Sequence, residues 1–129
     1  MSYLVTCYCS TYGCGDVAIV ENINDIYNFI ITYVIYPSCI YKNNNFSLED
    51  IPSPECIENI INDKDYINDS LCFFGAKEVL IYKGNRGNNI YYVTVKNLNE
   101  IEKIKFDEDT KILYNDTIKE YIKINLKTN

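Results

Sequence analysis

Two runs rich in branched and aromatic residues, Lys77–Lys83 and Asn89–Lys96, stand on either side of Gly84-Asn85-Arg86-Gly87-Asn88. Val79, Leu80, Ile81 and Tyr82 in the first run answer Ile90, Tyr91, Tyr92, Val93 and Val95 in the second. Such side chains suit a pleated, half-buried surface, and the glycines between them supply the backbone freedom of a turn. The pair therefore predicts an antiparallel hairpin. A lone hairpin is marginal in water, so the rest of the chain must extend it or cover it.

The N-terminal segment offers a second hairpin. Tyr3–Ser10 is rich in Val, Thr and Tyr, Thr11–Asp16 holds two glycines and an aspartate, and Val17–Glu21 is again apolar. The next two elements read as helices. Asn22 is placed to cap the first, with Asp25 in its opening turn, where a negative charge suits the helix dipole. Ile23, Tyr27, Ile30, Ile31 and Val34 fall at helical spacing, and Ile26, Phe29 and Tyr33 widen the stripe until Pro37 ends it. A helix apolar over most of its circumference lies deep or faces a partner. Ser53-Pro54-Glu55 is a second helix start, with Ile57, Ile60 and Ile61 as its apolar edge and an end near Asp63.

Beyond the central hairpin the pattern is less decisive. Leu98, Ile101 and Ile104 are at helical spacing, and Lys111–Tyr114 fits a brief strand. After Thr117, Ile118, Tyr121 and Ile122 fit a helix, whereas Ile122, Ile124 and Leu126 fit a strand. No internal repeat or linker is evident apart from the asparagine run at 43–45. The expectation is one α+β domain over residues 1–129, an antiparallel sheet of two hairpins with two or three helices packed on one face.

Composition narrows the function classes. The net charge of −6 argues against binding to nucleic acid through its phosphates. Histidine, the usual general base and commonest metal ligand, is absent from the sequence. The longest apolar stretch, Ile23–Ile40, is broken by Asn24, Asp25, Asn28, Thr32, Pro37 and Ser38, so no membrane association is expected. The N-terminus lacks a basic region followed by an apolar run, which points to a cytoplasmic, reducing setting. Ile, Asn, Tyr and Lys make up almost half of the chain. All have A- and T-rich codons, so the bias suggests a virus or other organism with an AT-rich genome.

The six cysteines are Cys7, Cys9, Cys14, Cys39, Cys56 and Cys72. In a reducing compartment they read first as small buried apolar side chains. The alternative is a zinc-stabilised module, in which Cys7 and Cys9, two apart on a strand, join Cys14 across the turn as three thiolates. Cys39, Cys56 or Cys72 would then supply the fourth. Cys56 sits in the first helical turn, which favours a thiolate, but Glu55 and Glu58 oppose ionisation. It is the candidate nucleophile if the protein is a thiol-dependent enzyme. Arg86, the lone arginine, shares a glycine-rich segment with Lys83, a possible anion contact. Asn45, Asn68 and Asn115 head glycosylation sequons that matter only in a secretory pathway. No catalytic constellation is legible. The thirteen tyrosines, with Tyr3, Tyr8, Tyr12, Tyr33, Tyr36, Tyr41, Tyr82, Tyr91 and Tyr92 on or beside strands and the first helix, favour an interface. The expected function is therefore non-catalytic, through a protein partner or self-association as a homodimer, without cofactor.

Overall fold

A computed structural model describes residues 3–9, 15–32, 51–63, 72–73, 76–86 and 89–126. β1 (Tyr3–Cys9) and β2 (Gly15–Val20) form the first antiparallel hairpin, with Tyr3 opposite Val20 and Tyr8 opposite Gly15. The strands approach closely at Gly15, where a Cβ would run into the Cys7 carbonyl, so a residue without a side chain is required. α1 (Ile23–Ile30) begins where its cap was expected, the Asn22 side-chain oxygen accepting from the Asp25 amide at 3.1 Å. α2 (Pro54–Asn62) likewise starts on Ser53, whose hydroxyl oxygen accepts from the Cys56 amide at 3.2 Å.

A two-residue strand, β3 (Cys72–Phe73), leads into β4 (Ala76–Arg86) and β5 (Asn89–Asn97), the central hairpin. β4 is longer than the sequence pattern implies, running through Gly84 and Asn85 to Arg86, which pairs in register with Asn89. β5 also pairs with β1, which fuses the two hairpins into one antiparallel sheet of order β2-β1-β5-β4-β3. The register slips between Leu80 and Tyr82, so Ile81 is the extra residue of a β-bulge. The bulge lets two consecutive side chains, Ile81 and Tyr82, enter the same core, which strict alternation forbids.

α1 and α2 both pack on one face of this sheet. Ile26, Phe29, Ile30 and Ile57 meet Val5, Cys7, Ala18, Val20, Val79, Val93 and Val95. Ile23, Tyr27 and Ile31 pack against the same cluster, so the wide apolar stripe of α1 is taken up by the sheet and α2.

In the C-terminal third the brief strand expected at Lys111–Tyr114 is present, but as the middle of a second sheet. Leu98–Glu100 is a 3-10 turn, followed by β6 (Ile104–Asp107), β7 (Ile112–Asn115) and β8 (Glu120–Lys123), a separate antiparallel sheet of order β6-β7-β8. Among the described residues there are thus eight strands in two sheets, with α1 and α2 as the helices, rather than two hairpins with helices alone for cover. The second sheet closes part of the other face of the first. Leu98, Leu113 and Ile124 bury against Leu4, with Val17, Ile19, Ile101, Ile104, Phe106 and Ile122 around them. Leu98, Ile101 and Ile104 therefore do share a buried surface, but on a turn and a strand rather than a helix.

The meander recurs every eight residues. Lys103, Lys111 and Lys119 each adopt left-handed backbone, at φ of 57°, 57° and 59°, just before or at the entry to a strand. Such a conformation is uncommon without glycine and is held here by the surrounding turn. The Asp107 carboxylate accepts from the Asp109 amide at 3.0 Å, and the Asn115 side-chain oxygen accepts from the Thr117 amide at 3.0 Å. The repeat lies in turn chemistry rather than in apolar pattern, because the ladders pair residues of opposite parity (104 with 115, 112 with 123). A given repeat position therefore faces inward on one strand and outward on the next. After β8 the chain returns to β2. The Asn125 side chain accepts from the Val17 amide and donates to the Gly15 carbonyl at 3.0 Å, while the Asn125 and Leu126 amides both donate to the Val17 carbonyl at 3.1 Å. Among the described residues no helix is long and apolar enough to cross a membrane.

Candidate functional site

The face of the large sheet opposite the helices carries Leu4, Thr6 and Tyr8 from β1, alternating with the core residues Val5 and Cys7. Register brings Thr94 beside Thr6, Tyr92 beside Tyr8, and Lys96 between Leu4 and Glu78. Glu78 accepts from the Thr94 hydroxyl, and its Oε1 lies 3.5 Å from Lys96 Nζ. Lys96 is only 3% exposed, and burial moves its pKa below the ordinary lysine value, with Glu78 pulling back in the other direction. Tyr8 stacks on Tyr92, ring centroids 5.1 Å apart, and Lys83 Nζ sits 5.8 Å from the Tyr92 centroid. Burial, then the charge of Glu78 and then Tyr92, push the Tyr8 phenol above its usual range. These shifts leave Tyr8 further from titration near neutrality, and Lys96, which moves towards it, is covered. The lane binds its own groups to one another.

The second surface is the outer face of the meander. Lys105, Tyr114 and Tyr121 form one cross-strand row, and Asp107, Ile112 and Lys123 form the next. With Thr110, the residues Lys105, Asp107, Ile112, Tyr114 and Tyr121 line a groove of about 520 Å³. Tyr121 is 68% exposed, and Ile118 in the turn before β8 is 43% exposed. Phe106 points the other way into the second core, with Lys111 Nζ 6.0 Å from its ring.

The described residues singled out from sequence lie apart from this groove. Cys7 is buried in the helix-side core, Cys9 is the last residue of β1, and Cys14 lies outside the described residues, as does Cys39. Cys56 is exposed on α2. Among the described residues no group of three Cys, Asp or Glu side chains is placed to hold a metal ion. Arg86 ends β4, paired in the ladder with Asn89. Asn115, the third sequon residue, is buried and committed to its turn. Of the tyrosines expected at an interface, Tyr82 is buried and Tyr3 and Tyr91 pack on the core, whereas Tyr12, Tyr33, Tyr36 and Tyr41 lie outside the described residues. Tyr114 and Tyr121, which line the meander groove, are not among the tyrosines that the sequence pattern singles out. No family model matches the chain, nor does any curated protein or solved structure.

Proposed function

We propose that this is a non-catalytic protein that works by protein–protein contact, self-association foremost, through its C-terminal meander. The observation that carries this reading is Tyr121, 68% exposed on a strand beside Tyr114 and the groove. Tyrosine combines a large apolar area with a polar tip and is enriched where proteins touch. The polar lane supports the same reading, since its carboxylate, hydroxyl and ammonium satisfy one another inside the fold.

The test is sedimentation velocity of the full chain from about 5 µM to about 500 µM, a range in which a weak homodimer shows its mass-action behaviour. The expected result is a rising average mass above the 15.0 kDa monomer. A single monomeric species throughout would overturn the self-association reading.

A further inference from the structure

Among the described residues β8 is an outermost strand of its sheet, with β7 as its neighbour. The Ile124 amide donates to the Lys111 carbonyl at 2.7 Å, in continuation of the register that sets Ile112 opposite Lys123. Residues along an antiparallel ladder alternate between exchanging hydrogen bonds with the partner strand and turning those groups away. The backbone groups of Glu120 and Ile122 therefore aim at β7, and those of Tyr121 and Lys123 aim outward. The strand presents two amides and two carbonyls, a template for a further strand. The edge of β2 is treated differently, because Asn125 and Leu126 occupy it.

We infer that β8 pairs antiparallel with β8 of a second copy of this chain, about a two-fold axis at Ile122, setting Tyr121 of each copy opposite Lys123 of the other. The inference rests on the contact reading above. A two-fold normal to the sheet keeps both outer faces on one side, and only outward-aimed residues can exchange bonds, which leaves three registers. An axis at Tyr121 gives one bonded pair and then calls on Lys119, whose left-handed backbone at φ 59° cannot extend a ladder. An axis at Lys123 sets two lysines face to face, an unfavourable pairing, and next calls on Asn125, which is already engaged with β2. The axis at Ile122 gives two bonded pairs, hence four backbone hydrogen bonds. It also lays each Lys123 ammonium beside the Tyr121 ring of the other copy, an electrostatically complementary pair. Ile122, which lines the second core, meets its own copy on the inner side. The result is a continuous six-stranded sheet.

Sedimentation equilibrium of wild type, Tyr121→Lys and Tyr121→Glu tests this, with circular dichroism confirming that each variant is folded. Tyr121 is largely exposed, so neither change disturbs the core. Tyr121→Lys sets like charges opposite each other and is expected to weaken dimerisation by about tenfold or more. Tyr121→Glu sets a carboxylate opposite Lys123 and is expected to keep the dimer while making it salt-dependent. Wild type that dimerises while Tyr121→Lys dimerises equally well would overturn the edge pairing and the role given to Tyr121, and leave self-association through another surface. Loss of the dimer in Tyr121→Glu as in Tyr121→Lys would overturn the register. A strictly monomeric wild type would overturn both.

Discussion

Lys96 takes an ammonium group into the sheet's second face, where it sits opposite Glu78, itself held by Thr94. Its pKa is lowered, first by burial, so the folded state releases the lysine proton at lower pH than the unfolded chain does. Between that lowered value and the ordinary 10.5, the unfolded state binds more protons, and stability from this group rises with pH. Tyr8 works with the opposite sign, since its raised pKa makes stability fall above pH 10.0, once the unfolded phenol ionises. Urea unfolding of wild type and Lys96→Met from about pH 8 to about pH 10 should therefore show wild type gaining on the variant as pH rises. A difference that stays flat or shrinks would show that Lys96 is not the titrating group. Neither the pairing nor the burial is legible at Lys96 in the sequence, where one lysine in a strand looks like any other solvated one.

At the level of elements, the segment after β8 does for β2 what a neighbouring strand would do. One side chain, Asn125, both accepts and donates along an edge that its own backbone also bonds. Asn125→Ala removes the two side-chain bonds and should cost about 1–2 kcal/mol, given the usual net worth of such bonds. Amide exchange should quicken most at Val17, and uniform acceleration over the whole sheet would instead indicate a global loss. Much of this level could be read beforehand. Asn22 and Ser53 announced their helices because a cap's chemistry is local, and the central hairpin followed from β-branched runs around glycine. Of the meander only the strand at Lys111–Tyr114 was legible, because the signals on either side of it mimic a helix. Ile118, Tyr121 and Ile122 have helical spacing, yet they occupy a turn, the outer face and the inner core. Alternate strands of the repeat face opposite ways, so no apolar stripe marks them. The meander groove was not legible for the same reason, and of the tyrosines named from sequence Tyr82 is buried, Tyr3 and Tyr91 pack on the core and Tyr8 stacks on Tyr92.

Across the whole molecule, one sheet serves two cores. Consecutive residues of β1 divide between them, Leu4 entering the meander side and Val5 the helix side. Loosening one core must therefore be felt through the strand by the other. Leu113→Ala, at a fully buried position, should cost about 2–4 kcal/mol. Far-ultraviolet dichroism and tyrosine fluorescence should still report one coincident transition, and separated transitions would mean that the meander melts on its own. The spacing of the left-handed lysines carries a constraint on how such a chain can grow. Duplicating a single eight-residue unit would add one strand, send the terminus out at the opposite end of the sheet and turn the next strand's interior residues to solvent. Two units together restore both heading and facing, so lengthening in this region keeps the interior residues inside only when it comes by whole hairpins.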